Sequence, residues 1–217
     1  MQQPIKHYLF TKYDVGLYGS GGKKTRDWLK LRDKIFNEIT FPSVQSQENK
    51  DFEWIVFFDS TSSSENFGKK GFTSFHTTEK TIRDDYKNII DTNCIFTRLD
   101  NDDAILPNFM KLVRNIYDVA QPHGPMAVNI PYGYCCDYNT KKIFKLRPEF
   151  SNPFISKANL KEHRVYGHGE IYRYMPLVQL LECGPSWIRI IHDKNITNRL
   201  TGEKTNLMLK DVLRKDI

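Results

Sequence analysis

The sequence contains no long hydrophobic run. No apolar stretch approaches the roughly 20 residues that a membrane-spanning helix needs. The first residues, MQQPIKHYLFTKYD, lack the apolar core of a secretory signal peptide. These absences count against a membrane-spanning or exported protein, and we expect a cytoplasmic protein or a soluble domain that acts there.

Cysteine is also scarce. The chain has 4 cysteines, and none of them forms a C-x-x-C pair that would indicate a zinc site. Cys135 and Cys136 are adjacent and cannot easily bridge to each other. We therefore predict reduced, buried thiols rather than a disulfide framework.

Internal repeats and linker-like segments are absent as well, so the 217 residues predict one domain, residues 1–217. Hydrophobic residues make up 39% and aromatic residues 13% of the chain, which favours an ordered core. The net charge of +6 is spread along the sequence. It allows a weak association with anionic surfaces, but we expect no specific nucleic-acid partner.

Apolar patterns in the first 120 residues alternate between strand and helix. Continuous apolar runs predict strands at His7–Phe10, Trp54–Phe58 and Cys94–Thr97. Helical spacing predicts helices over Trp28–Ile39, ended by Pro42, over Thr81–Ile90, and from Pro107 to Ala120. This β-α-β-α-β-α order is typical of a doubly wound, mainly parallel sheet.

The second half of the chain is richer in strands. We predict strands over Met126–Ile130, Lys142–Leu146 and Trp187–Ile191. The same reading predicts loops over residues 150–180, with one short helix over Tyr174–Leu181, and a short basic helix over Asn206–Leu213.

The strongest chemical signal is the run Asp100-Asn101-Asp102-Asp103. Three carboxylates in four residues repel one another, and they follow a predicted buried strand. Ligands of open α/β sheets bind at that end of the strands, and a divalent cation with substrate phosphates would offset the charge. A helix N-cap with acids that complement the helix dipole is the structural alternative, but the placement after the third strand favours a metal site.

Around this run the chain resembles the putative rhamnosyltransferase family, small GT-A glycosyltransferases of bacteria and large viruses. The resemblance covers about residues 5–110 and 185–198. The residues that carry it are Trp28, Arg32, Phe36, Thr40-Phe41-Pro42-Ser43, Gln47, Phe52-Glu53-Trp54, Asp59, Thr97 to Ile105, and Trp187 to Asn195.

The resemblance implies a GT-A-like, Rossmann-like α/β fold with a mainly parallel central sheet and a more strand-rich C-terminal half. It further implies a nucleotide-sugar donor bound by residues 1–120 and a glycan or glycoconjugate acceptor bound by residues 121–217. A divalent metal, Mn²⁺ or Mg²⁺, is implied at Asp100, Asp102 and His192. The imidazole of His192 slightly favours Mn²⁺, although a lone histidine is more often structural.

Several residues are candidates for contacts to the nucleotide. Asp59 ends the second strand, where the resemblance places it near the nucleoside; a turn with Ser60 explains it equally well. Arg98 could contact the nucleotide or could neutralise the acidic run. The full set of candidates is Phe10, Thr11, Asp59, Arg83, Arg98, Asp100 and Asn101.

The glycine-rich segment 16–25 does not match a phosphate-binding P-loop, because Leu17 occupies the first glycine position and Lys24 the Ser/Thr position. A flexible surface loop is the favoured interpretation. Because the segment after the first strand lies near the nucleotide in GT-A folds, Lys23 or Lys24 could approach phosphate.

The last candidate group is Tyr166-Gly167-His168-Gly169-Glu170. Glycines on both sides of a histidine indicate a loop whose backbone approaches a neighbour closely, and a plain turn is the alternative. An inverting transferase needs a base for the acceptor hydroxyl. Glu170 is our first candidate and His168 the second, with Asp103 next.

The leading hypothesis is therefore a metal-dependent, inverting glycosyltransferase that transfers rhamnose or another hexose. One alternative is a phosphohydrolase with an aspartate nucleophile, although such enzymes usually place D-x-D on the first strand. The other is a carbohydrate- or nucleic-acid-binding domain that kept the fold without turnover.

Overall fold

The computed structural model describes residues 5–16, 25–89, 93–150, 152–159, 175–195 and 199–213. They form two sheets, of seven and five strands, with helices packed around them. The helical segments are α1 (Arg26–Ile35), a π-helical turn (Phe36–Thr40), α2 (Phe41–Gln45), α3 (Ile82–Ile89), α4 (Phe109–Ala120) and α5 (Leu209–Leu213).

The larger sheet has the strand order β10-β6-β9-β4-β1-β2-β3. All of its neighbouring pairs are parallel except those that β9 makes with β4 and β6. Its strands are β1 (Lys6–Lys12), β2 (Glu53–Asp59), β3 (Thr73–Thr77), β4 (Cys94–Arg98), β6 (Met126–Asn129), β9 (Ser156–Ala158) and β10 (Leu177–Gln179). The mainly parallel central sheet predicted from the sequence is confirmed.

Both faces of this sheet are buried, which explains the continuous apolar runs of its central strands. On β2, Trp54 and Phe58 pack in the cluster that contains α1 and α4, whereas Phe57 packs in the cluster that contains α3. A strand buried on both sides needs apolar residues at successive positions rather than at alternate ones.

The smaller sheet has the order β12-β8-β7-β11-β5 and is mostly antiparallel. Four of its five strands come from the second half of the chain, as the strand-rich prediction implied. The strands are β5 (Ala104–Ile105), β7 (Tyr134–Asp137), β8 (Lys142–Lys145), β11 (Trp187–Ile191) and β12 (Glu203–Met208).

The structure corrects three boundaries. The first helix does not end at Pro42: the chain continues as α2, in which Pro42 lies in the first turn, where a missing N–H costs little. The described part of Tyr174–Leu181 contains strand β10 instead of a helix, because Leu177–Gln179 pairs with β6. In the tail, residues 206–208 belong to β12, and the helix begins at Leu209.

The four cysteines are free thiols, and all but the half-buried Cys183 are fully buried, which agrees with the prediction. Burial raises the pKa of Cys136 to about 12. In the described part of the chain, no helix is long and apolar enough to cross a membrane.

Candidate functional site

The carboxyl ends of β1, β2 and β4 meet at one edge of the central sheet. Strand β1 lies between β2 and β4 and is parallel to both. The Leu99 amide donates to the Phe10 carbonyl over 2.8 Å, and the Tyr13 amide donates to the Phe57 carbonyl over 2.8 Å. Because the chain leaves β1 toward β2 and later returns to β4 on the other side, this edge is the switch point where open α/β sheets bind ligands.

Asp100 follows β4 directly and pairs with Arg98. The Arg98 guanidinium donates to Asp100 Oδ1 from Nη2 over 2.7 Å and from Nε over 3.1 Å. Lys12, at the end of β1, lies close enough for its pKa to respond: burial lowers the pKa, and the charges of Glu79, Asp100 and Asp59 partly offset that effect. Arg98 therefore pairs with Asp100, and its two expected roles, a contact to the nucleotide or neutralisation of the acidic run, stay predictions.

Asn101 and Asp102 are buried at 4% and 7% exposure beneath the first helical segments. The Thr40 hydroxyl, at the end of the π-helical turn, donates to the Asn101 carbonyl over 3.1 Å. Arg32 of α1 donates from Nη1 to Asn101 Oδ1 over 3.2 Å and forms an ion pair with Asp102 Oδ2. The extra residue of the π-helical turn thus lies next to the acidic run, and such turns are frequent at functional sites.

His192 reaches Asp102 because β11 pairs with β5, which follows the acidic run. His192 Nε2 lies 3.1 Å from Asp102 Oδ2, and the Asn195 amide group lies 3.4 Å from the same oxygen. Burial would raise the pKa of Asp102, but the charges and hydrogen bonds of Arg32 and His192 outweigh it and lower the pKa. Asp102 is therefore held as a carboxylate.

Asp103 is buried against the second sheet. Its Oδ1 accepts a hydrogen bond of 2.9 Å from the Ile190 amide, two residues before His192. Burial raises the pKa of Asp103 well above its usual range, and the charges of Asp102 and Asp100 raise it further. This contact holds β11 against the acidic run and thereby fixes the position of His192, which follows the strand.

The other candidates for nucleotide contacts differ in how deeply their side chains are buried. The side chains of Phe10 and Thr11 are buried in the core; the Trp54 indole donates to the Thr11 hydroxyl over 3.0 Å. Asp59 lies at the edge, where its Oδ1 accepts from the Thr61 amide over 3.0 Å. Arg83 is exposed on α3.

Asp102 of the acidic run, together with His192, could hold a metal. Within the described ranges, no three His, Cys, Asp or Glu side chains lie together as a complete donor set. Asp100, the third candidate, faces Arg98 instead. A carboxylate with an imidazole nevertheless suits Mn²⁺, and such sites take further ligands from substrate phosphates and water. Asp102 and His192 are thus the described residues that could contribute ligands to such a metal.

Four of the predicted residues fall outside the described ranges: Glu170, His168, Lys23 and Lys24. Two others that belong to the site, Arg32 and Asn195, were predicted from the sequence only as carriers of the family resemblance and not as site residues. The signal for Arg32 was available, since it is a charged residue between Trp28 and Phe36 on the apolar stripe of α1. Asn195 ends the second stretch of the resemblance, but its residue type and spacing do not indicate a contact with Asp102.

The mainly parallel sheet with a strand-rich second half is a GT-A-like, Rossmann-like α/β fold. A family model described as "Putative rhamnosyl transferase" matches residues 24–66 and 74–204. Because the match spans well over half of the sequence, the chain belongs to this family. No curated protein matches the sequence.

Solved structures of S. aureus TarS share the fold. TarS 1–349 in complex with UDP-GlcNAc is 11% identical, with a TM-score of 0.53, over 87% of this chain and 59% of that one. TarS 1–349 alone is 12% identical, with a TM-score of 0.54, over 86% of this chain and 60% of that one. A third structure, of TarS, is 13% identical, with a TM-score of 0.53, over 86% of this chain and 37% of that one. The chain spans at most about three fifths of these neighbours, and identities this low establish the fold alone.

Proposed function

We propose that this protein is a metal-dependent GT-A glycosyltransferase that moves rhamnose or another hexose from a nucleotide-sugar donor to a glycan acceptor with inversion. The observation that carries the proposal is the 3.1 Å approach of His192 to Asp102 at the switch-point edge. It joins a carboxylate and an imidazole from positions 90 residues apart, in a chain whose family is named for sugar transfer.

In this proposal Asp102 and His192, together with Asp100, would hold the divalent ion, Mn²⁺ or Mg²⁺. When bound, such an ion stabilises the negative charge of the departing diphosphate. Asp103 holds β11 in place through the Ile190 amide. The contacts of Arg32 and His192 lower the pKa of Asp102, so the group that faces this site is a carboxylate.

The nucleotide would lie along the ends of β1, β2 and β4. Asp59 offers a carboxylate for hydrogen bonds from base or ribose, and Arg98 offers a cation for phosphate. Arg83, exposed on α3, is a further candidate cation, and Phe10 and Thr11 would lie beneath the nucleotide, since both side chains are buried. TarS is solved with UDP-GlcNAc, so uridine diphosphate sugars are the first donors to test.

An acceptor hydroxyl must lose a proton as it attacks the sugar, and a side chain within about 3 Å must take that proton. We assign this role to Glu170, with His168 as the alternative. Asp103 is the third candidate, and its hydrogen bond to Ile190 suits a positioning role better.

The decisive experiment measures release of nucleoside diphosphate from a panel of nucleotide-sugars, with Mn²⁺ and with a chelator. We expect release with at least one donor, loss of release with chelator, and a drop of roughly 100-fold or more in Asp102→Asn. Asp118→Asn is the matched control, because this acid is exposed on α4 and pairs only with Arg114 among the described residues.

Donor binding without release in wild-type protein would instead support a non-catalytic binding domain. Release that persists unchanged with chelator would contradict the metal.

A further inference from the structure

Arg32 forms an ion pair with Asp102, one of the residues proposed above to hold a divalent ion. Its side chain is buried on α1, with the guanidinium carbon 5.0 Å from the centre of the Trp28 ring. From there Nη1 contacts both Asn101 Oδ1 and Asp102 Oδ2. An arginine retains its positive charge under all conditions that proteins encounter, so Arg32 is a permanent cation inside the acidic run.

The contacts of Asp102 converge on one oxygen. Among the described residues, Arg32, His192 and Asn195 all approach Oδ2. A metal ion shared by Asp102 and His192 would need this same space, because the imidazole nitrogen already points to that oxygen. A guanidinium and a divalent cation cannot both occupy it, since like charges at such a distance repel strongly.

The present arrangement leaves two buried donors without acceptors. Arg32 Nε and Asn101 Nδ2 have no hydrogen-bond partner within the described parts of the chain. Buried donors are normally paired, and an orphaned one costs free energy. The contact between Arg32 and the acidic run is therefore incompletely satisfied.

We propose that Arg32 is the resident counter-ion of the acidic run. It compensates Asp102 in the absence of a divalent ion, and it is the group that the ion must displace. The inference rests on the proposed function for the existence of the metal site. It predicts that the wild-type protein binds the ion weakly on its own, because each binding event must first break a buried charged contact.

The test measures the binding of Mn²⁺ to the protein without nucleotide. The readout is the loss of the electron paramagnetic resonance signal of the free ion. Arg32→Gln keeps hydrogen-bonding groups but removes the competing charge, and we expect it to bind Mn²⁺ roughly 10-fold or more tightly than wild type. Arg26→Gln is the matched control, because it removes the same charge from an exposed position at the start of the same helix. It should bind Mn²⁺ as wild type does.

Mn²⁺ binding by Arg32→Gln that equals or falls below wild type would overturn the proposal, since Arg32 would then be an organiser of the site and not a competitor. A second measurement avoids any folding defect of the variant. In the wild-type protein, the guanidinium protons of Arg32 should exchange slowly with water and should exchange faster when Mg²⁺ saturates the site. Unchanged exchange would overturn the proposal as well.

The two proposals fail in distinguishable ways. Tighter Mn²⁺ binding by Arg32→Gln without release of nucleoside diphosphate from any donor would support the counter-ion role and contradict the transferase. Release that depends on Mn²⁺, together with equal binding in both proteins, would support the transferase and contradict the counter-ion role. Absence of Mn²⁺ binding in every variant would overturn the counter-ion role and the metal assignment together.

Discussion

At the scale of single residues, the site depends on whether His192 is a ligand or a structural neighbour of Asp102. If it is a ligand, His192→Ala should weaken Mn²⁺-dependent donor binding by roughly 10-fold or more, the range found when metal shells are disturbed. The measurement is the rise in the thermal midpoint that Mn²⁺ and donor produce together, because a ligand of the folded state raises the midpoint by mass action.

The exposed His123 provides the control for that experiment. His123→Ala should leave the Mn²⁺-dependent rise unchanged. A His192→Ala protein that melts earlier but shows the full rise with Mn²⁺ would identify His192 as structural.

The general base is the second question at this scale. Glu170→Gln keeps the size and hydrogen bonding of the side chain but cannot accept the acceptor's proton. We expect unchanged donor affinity and a turnover lower by roughly 100-fold or more, the usual contribution of general-base catalysis. Initial rates of nucleoside diphosphate release with saturating donor and acceptor measure this.

The partner variant for Glu170 is His168→Ala. Near-normal turnover in Glu170→Gln with an inactive His168→Ala would assign the base to the histidine. Normal turnover in both would leave Asp103 as the remaining candidate.

The sequence predicts the part of this site that is local in the chain, but not the contacts between residues that are far apart in the sequence. Asp100, Asp102 and Asp103 follow one strand, so their common position can be inferred from the pattern alone. Arg32 contacts Asn101 across 69 positions, and such a contact depends on how α1 packs over the sheet. Residue type and spacing place Arg32 as a charged residue on the apolar stripe of α1, but they do not identify Asn101 as its partner.

At the scale of elements, Gly133 shows how closely the starts of β7 and β11 pack against each other in the smaller sheet. A Cβ on Gly133 would lie 2.3 Å from the Trp187 ring. Trp187 opens β11, stacks on Phe154 at 4.7 Å between ring centroids, and donates to the Ile130 carbonyl. The ring is held on several sides and cannot move away easily.

We therefore expect Gly133→Ala to destabilise the protein by about 1–3 kcal/mol, as overpacked cores do, which lowers the thermal midpoint by about 2–12 °C for a domain of this size. Gly184→Ala is the matched control, because nothing lies within 4 Å of its added Cβ. Equal midpoints for the two variants would show that Trp187 can shift.

Elements with a long apolar pattern were predicted well, and short ones were not. The three central strands and the helix from Phe109 to Ala120 have enough residues to show a period. Strands β5, β9 and β10 have two or three residues each, which is too few for any period to be visible. Pro42 suggested the end of the helix because proline disrupts a helix interior. The π-helical turn before it, after which a new helix starts, gives no signal in the sequence.

At the scale of the whole molecule, His7 gives folding stability a dependence on pH. Its ring is fully buried, with Nε2 2.8 Å from the Thr97 hydroxyl oxygen. Burial, and secondarily the charge of Arg114, lowers its pKa from 6.5 to about 3. Between these two values the unfolded chain binds a proton that the folded protein does not bind, so stability falls as pH falls.

His7 should therefore remove about 2 kcal/mol from the free energy of unfolding between pH 7 and pH 5. His7→Gln should flatten that part of the pH dependence, whereas His123→Gln, at an exposed position, should not. Urea unfolding at the two pH values measures the difference. An identical pH dependence in wild type and His7→Gln would show that His7 does not stay neutral in the folded protein.

The position of β9 late in the chain also determines how long the edge of β4 stays unpaired during synthesis. Strand β4 is complete at Arg98, but its outer neighbour is Ser156–Ala158, which also supplies the contact to β6. A ribosome that adds about 5–20 residues per second therefore exposes the edge of β4 for several seconds before its partner exists. Unpaired edges recruit other chains, so we expect this interval to be when the nascent protein most needs chaperones.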